Sequence, residues 1–322
     1  MRAILVRESG GADKLLVEEV DEPTPGEGEL LVHVESAGVN FIDTYHREGL
    51  YPLDMPFTPG LEGAGTVTEM GDDVHGFAIG DRVAWTNVLG SYTQRHVVPA
   101  EKAILIPDGV ETDMAAAVLL QGITAHYLAH STFPLAEGDH CLIHAGAGGV
   151  GLLLTQIAKK RGAHVFTTVG SDEKAQLSRG AGADDVIVYT EVDFKDEIEA
   201  RYGPNPLDVV YDGVGASTFD DGLDLLRPRG MMVTFGNASG PVPKISPLLL
   251  AEKGSLFLTR PTMAHYMRTT EELMGRVTDL FDWMAEGDLD VRIGAIYPME
   301  EAADAHRALE GRDTTGKVLL HP

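Results

Sequence analysis

A single cysteine, Cys141, stands in 322 residues, so no intrachain disulfide can form and no cysteine-rich zinc lobe can be built. Long apolar runs are absent as well. None approaches the ~20 residues that a bilayer span requires. The opening stretch, Met1-Arg2-Ala3-Ile4-Leu5-Val6-Arg7-Glu8, alternates like a strand and lacks the apolar core of a signal peptide. A cytoplasmic protein without a membrane partner is the expectation. Basic charge is scarce: 25 lysines and arginines face 50 aspartates and glutamates, a formal charge of −25. That balance repels nucleic acid and sets that class of partner aside. The acids are spread along the chain instead of forming a tail, which reads either as a surface suited to high salt, where screening relieves self-repulsion, or as that of a merely acidic cytosolic protein. No internal repeat or low-complexity tract is present.

What is there begins with His140-Cys141-Leu142-Ile143-His144 running into Ala145-Gly146-Ala147-Gly148-Gly149-Val150-Gly151 and then into apolar residues at helical spacing. Strand, Gly-x-Gly-x-x-Gly turn and helix together form the context of a dinucleotide fingerprint. In that reading Gly146 makes a turn of positive φ, Gly148 admits the pyrophosphate, and Gly151 lets helix press on strand, with Gly149 and Val150 opening the helix toward the anion. A second strand, Val165 to Val169, follows Arg161-Gly162. Helix and strand then alternate through Glu173–Arg179, Asp185–Tyr189, Phe194–Tyr202, Leu207–Tyr211, Phe219–Leu226 and Gly230–Phe235, the pattern of a parallel, doubly wound sheet.

Length alone suggests two domains. From Met1 to about Phe57 short alternating segments are broken by Pro23-Thr24-Pro25-Gly26, as in antiparallel β structure. Ser36 to Pro52 breaks that alternation with dense polar and aromatic chemistry and reads as a short helix. Near Asp113 the period turns helical, which marks a boundary. A long amphipathic helix is expected over Thr270–Glu286 and a closing strand over Gly316–Leu320.

Several separated stretches agree in order and spacing: the fingerprint itself, Ala37-Gly38-Val39-Asn40-Phe41-Ile42-Asp43-Thr44-Tyr45, Gly49-Leu50-Tyr51-Pro52, Tyr211-Asp212-Gly213-Val214-Gly215, Phe235-Gly236-Asn237 and Thr259-Arg260-Pro261. On these the chain resembles the zinc-independent NADPH:quinone oxidoreductases, the zeta-crystallin-like branch of the medium-chain dehydrogenase/reductases. The resemblance implies an α/β architecture in which residues 1–124 and 265–322 form a β-rich GroES-like catalytic domain. Residues 125–264 form the Rossmann domain. It implies a homodimer joined at Rossmann sheet edges, with Leu256-Phe257-Leu258 a candidate edge, although a buried central strand has the same look.

Alcohol dehydrogenases of that superfamily place a zinc-ligating cysteine where Asn40 stands and a His-Glu pair where this chain has Leu61-Glu62, so no catalytic metal is expected. The resemblance puts Asn40, Asp43, Tyr45 and Tyr51 at the reacting centre. It makes Gln121, Thr124, Asp212, Phe235, Gly236, Asn237, Arg260, Arg312 and Lys317 cofactor residues. Gly170 and Ser171 occupy the strand end where NAD enzymes carry an acid, and Lys174 follows one turn on. These favour a 2′-phosphate and hence NADPH, against which Asp172 and Glu173 count, and the resemblance implies that Lys174 and Tyr189 contact that phosphate. The substrate class stays open between a quinone and an enone or enoyl thioester, and a non-catalytic, crystallin-like NADPH binder is the further alternative. Arg47 reads equally as a group that helps with charge at the reacting centre or as a surface residue pairing with Glu48 or Asp54. His126 and His130 read as a helix-surface pair.

Overall fold

The computed structural model describes all of residues 1–322. The chain divides into two compact units, one of residues 1–121, 277–285 and 291–322, the other of 122–276 and 286–290.

The first unit is built on a seven-stranded sheet whose centre is the long strand Glu29–Val39. That strand pairs antiparallel with Glu62–Met70, Arg95–Pro99 and the C-terminal Lys317–His321. Alternation buries Leu30, Val32 and Val34 against Ile4, Val67, Trp85 and Leu320. The expected helix begins only after this strand has run on to Val39. Its span is Phe41–Glu48, and Gly49 closes it at φ 80°, the left-handed cap that glycine adopts without strain.

The second unit is a six-stranded parallel sheet. Its spatial order is Asp185–Val188, His164–Val169, His140–His144, Leu207–Asp212, Leu226–Thr234 and Phe257–Thr259. Numbered along the unit this is 3-2-1-4-5-6, the Rossmann order, so the doubly wound expectation holds. The strand order reverses between His140–His144 and Leu207–Asp212, which places His144 and Asp212 side by side at the carboxyl ends where nucleotides bind. The strand expected from Gly230 starts at Leu226. Thr270–Glu286 is helical as expected. After Tyr127 the helix Thr112–Tyr127 loosens into a π-turn, Leu128–Thr132. The buried Tyr211 hydroxyl, within reach of Leu128 O (3.2 Å) and Phe133 O (3.3 Å), ties down this turn, whose own closing bond runs from Phe133 N to Leu128 O.

Candidate active site

In the first unit the site starts at Asn40, the N-cap of the Phe41–Glu48 helix. Its backbone N–H donates to Asp43 Oδ2 at 2.8 Å, so the Asp43 carboxylate caps the first turn. The Asn40 side chain faces the other way. Its Nδ2 donates to Glu62 Oε1 (2.7 Å), and its Oδ1 accepts from Lys317 Nζ (3.0 Å) and Gln121 Nε2 (3.3 Å). Lys317 also contacts Glu62 directly, and Glu62 Oε2 accepts the Leu120 N–H at 2.7 Å. Gly38 is required beside them, because a Cβ there would enter the Glu62 carboxylate. Glu62 and Lys317 are closed from solvent. Burial pushes the Lys317 ammonium down to about 7 against the pull of Asp43, and the touching Glu62 carboxylate opposes that fall in the same sense as Asp43.

A second line of hydrogen bonds reaches Asp43 from behind. Arg47 Nη1 lies 3.1 Å from His306 Nδ1, His306 Nε2 lies 3.2 Å from the Tyr92 hydroxyl, and that hydroxyl donates to Asp43 Oδ2 at 3.0 Å. A guanidinium only donates, so Nδ1 accepts, the proton sits on Nε2, and Tyr92 passes its own to Asp43. Burial and the neighbouring Arg47 hold His306 down at about 3. Burial raises Asp43 to about 6 against the Asn40 N–H, Tyr92 and Lys317. Arg47 is therefore no surface residue. It is fully buried, bound to Glu310 (2.5 Å) and Glu48 (2.9 Å) as well as to His306.

The side chains of Asp43 and Lys317 are both closed from solvent. Tyr45 and Tyr51 meet edge-to-face at 5.4 Å, with Tyr45 buried and Tyr51 half-buried. Tyr51 is the more accessible residue. Arg312, also of this unit, is exposed at φ 61°.

In the second unit the glycine loop divides by cause. A Cβ on Gly146 would lie 2.6 Å from Thr167 Cβ, and one on Gly151 would strike Ala145 O, so packing alone demands both glycines. The left-handed residue is Ala145 (φ 56°) and not Gly146, which corrects the expected turn. A Cβ on Gly148 would meet only Ala145 O, at 3.2 Å. The fold nearly tolerates a side chain there. Gly148 is the N-cap of Gly149–Lys160, no side chain caps that helix, and no acid stands in its first turn. Free N–H groups with the positive end of the helix dipole fit a pyrophosphate.

At the end of the next strand Ser171 caps its helix through Lys174 N (3.3 Å), and a Cβ on Gly170 would meet the Tyr189 hydroxyl at 2.9 Å. Gly170 thus gathers with Tyr189, and Ser171 with Lys174. Asp212 Oδ1 accepts Val214 N, Gly215 N and the Thr218 hydroxyl, while Asp212 O accepts Phe235 N at 2.8 Å. Gly213, Phe235 and Gly236 pack at one point. Asp212 Oδ2 and His144 Nε2 are buried without a protein partner, as polar atoms facing a bound group or water would be. Arg260 Nη1 donates to Thr234 O and Gly236 O, both at 2.9 Å, and so holds this segment. Asn237 O accepts Gly240 N, and Thr124 Oγ1 lies 4.0 Å from Met263 Sδ. His126 is buried, stacked on His130 at 4.3 Å, with Arg276 Nη1 at 2.9 Å from its Nδ1, so this pair does not lie on a helix surface.

Two family models match the chain, an alcohol dehydrogenase GroES-like domain over residues 26–108 and a zinc-binding dehydrogenase over 149–285. The quinone oxidoreductase of Pseudomonas aeruginosa is 42% identical over 97% of both chains. The chain belongs to the quinone oxidoreductase family of the medium-chain dehydrogenase/reductases. Another member of this family, Escherichia coli quinone oxidoreductase in complex with NADPH, superposes over the whole of both chains with a TM-score of 0.97 at 40% identity. A 2-haloacrylate reductase from Burkholderia sp is 39% identical over 99% of this chain and 98% of its own. One matching family model is named for zinc, so the fit of a metal has to be judged on the donors present. In this quinone oxidoreductase family member an amide and a leucine stand at two of the positions, and the one carboxylate, Glu62, is already paired with the Lys317 ammonium. Those donors do not fit zinc. Glu62, Tyr92, Arg47 and His306 carry no motif, and sequence reasoning did not connect them to Asn40 and Asp43, to which the hydrogen bonds tie them.

Proposed function

We propose that the chain is an NADPH:quinone oxidoreductase that passes a hydride to a quinone or related conjugated carbonyl without a metal. The reading is carried by one observation: a glycine loop shaped for a pyrophosphate occurs in the same chain as a buried polar site whose cation is a lysine. The relatives named quinone oxidoreductase and the NADPH complex of one of them support it. Gly148, Gly149 and Val150 hold the pyrophosphate. Gly170, Ser171, Lys174 and Tyr189 hold the 2′-phosphate, with Asp212, Phe235, Gly236, Asn237, Thr124 and Arg312 completing the cofactor set. Bound NADPH supplies the hydride. The protein's own work is to orient the acceptor, exclude water and offer hydrogen bonds from Tyr45 and Tyr51. A cytoplasmic location follows from the need for NADPH.

A panel of 1,4-benzoquinone, a 2-alkenal, 2-chloroacrylate and crotonyl-CoA tests the reading, with NADPH oxidation fastest on the quinone. The Burkholderia relative makes the haloacrylate the specific rival, and selective turnover of it or of the thioester would replace the quinone assignment. In the same assay Lys174→Ala raises the KM for NADPH about tenfold or more, the worth of a charge-assisted hydrogen bond, and leaves that for NADH nearly unchanged. Equal effects on both nucleotides would remove Lys174 from the phosphate.

The reading includes a homodimer. Phe257–Thr259 is the edge strand of the six-stranded sheet, and Phe257 exposes 57% of its surface. An unprotected apolar edge of this kind pairs with a second copy. Light scattering gives twice the chain mass for the wild type and one chain mass for Phe257→Asp. A wild-type monomer rejects the dimer.

A further inference from the structure

We propose that Gln121 donates the hydrogen bond received by the acceptor's carbonyl oxygen, and that Glu62 and Lys317 are positioning residues that decide which face of its amide is presented. The proposal rests on the quinone reductase reading above, and it reassigns Gln121 from the cofactor to the acceptor.

An ammonium has donors only and a carboxylate acceptors only. Lys317 Nζ at 3.0 Å therefore obliges Asn40 to present Oδ1, and Glu62 Oε1 at 2.7 Å obliges it to present Nδ2. Both ends of the Asn40 amide are fixed by charge. Oδ1 then lies 3.3 Å from the Gln121 side chain, where a second oxygen would be repelled, so Gln121 must turn its Nε2 inward. One Nε2 hydrogen is spent on Asn40. The other lies in the amide plane, directed away from that bond. Of the four residues Asn40, Glu62 and Lys317 are closed from solvent, and only Gln121 is half-buried. It is the member of the cluster that can meet a small molecule.

The chemistry asks for such a donor. A hydride brings two electrons and one hydrogen to the quinone, a carbonyl π pair shifts onto its oxygen, and that oxygen takes one proton from solvent. The products are the hydroquinone and NADP+. A preorganised N–H aimed at the oxygen stabilises the charge as it develops, and loss of one donor of this type costs about 10²–10³ in kcat.

Gln121→Glu tests the assignment, since it replaces the NH2 group by oxygen at nearly constant shape. NADPH affinity, read by fluorescence titration without acceptor, stays within about twofold, and kcat with 1,4-benzoquinone at pH 6, where Lys317 is an ammonium and the new carboxyl is ionised, falls by about 10²–10³. As pH falls through the range of the new carboxyl, its protonated form regains an O–H donor. The ratio of variant to wild-type kcat then rises, and taking the ratio cancels the titration of Asp43 and Lys317 common to both. A packing role alone would give no such recovery. Gln121→Met, neutral and without a donor, loses activity at every pH and serves should the glutamate variant fail to fold. The Glu62→Gln/Lys317→Met pair, which releases the Asn40 amide, lowers kcat about tenfold with NADPH affinity retained, roughly one hydrogen bond's worth of orientation. Unchanged kcat in Gln121→Met, or a weakened NADPH affinity with kcat intact, overturns the proposal. Wild-type protein that binds no NADPH overturns the functional reading and the proposal with it.

Discussion

Lys317→Met destabilises the protein by about 3–5 kcal/mol, and adding Glu62→Gln restores most of that loss. The single substitution strands a carboxylate that is fully buried among Asn40, Leu120 N and the missing ammonium. Two hydrogen bonds remain to Glu62, but no counter-charge does, and an ion held in so dry a place must take up a proton or unfold its surroundings. The double variant removes both charges at once and leaves an amide able to bond Asn40 and the Leu120 N–H. Buried ion pairs replaced together by neutral groups are commonly near neutral in stability. The contrast between single and double is therefore the informative quantity, read from urea unfolding followed by circular dichroism. A loss below about 1 kcal/mol in the single variant would mean that the pair is solvated and weak, as exposed pairs are. Arg7 with Glu18 is such an exposed pair and gives the internal comparison.

What could be read from the chain follows the range over which its signals act. Strand, turn and helix around Gly146–Gly151 are legible because every constraint falls within a dozen residues, and the Rossmann order follows from the alternation that comes after. The reason for Gly146 was misjudged, since its need for a bare Cα comes from Thr167 and Ser178 on other elements. Arg47 looked like a surface residue because a charged side chain on a short helix usually is one. Its partners, His306 and Glu310, lie about 260 positions later, and nothing local announces them. Lys317 and Glu62 are separated in the same way by 255 positions. Asn40 and Gln121 were picked out by resemblance, but the charge that orients them exists only once the last strand has paired with Glu29–Val39.

The second large effect is acid lability, and it resides in histidines that must stay neutral to remain buried. His306 titrates at about 3 and His96 at about 4 in the folded chain, the second because burial leaves it no counter-charge. Unfolded, both titrate near ~6.5. A folded value below the unfolded one means stability that is complete above pH ~6.5 and lost as pH falls toward the folded value. The losses amount to about 4 kcal/mol for His306 and about 3 kcal/mol for His96 by pH 3. Asp43 runs the other way. Its folded value of about 6 exceeds the usual 3.8, so its burial is easiest below ~4 and costs increasingly as pH rises through 6, which returns about 3 kcal/mol on acidification. The balance is a net loss of about 4 kcal/mol, close to the whole stability of a marginal domain. His306→Gln isolates the main contributor, because an amide can accept from Arg47 with its oxygen and donate to Tyr92 with its nitrogen, preserving the direction of the line without a group to protonate. Urea midpoints measured from pH 7 to pH 3 then fall steeply for the wild type and far less for the variant, while the two stay within about 1–2 kcal/mol of each other at pH 7. Parallel pH profiles would show that His306 is charged in the folded protein and that the line to Asp43 runs in the opposite sense.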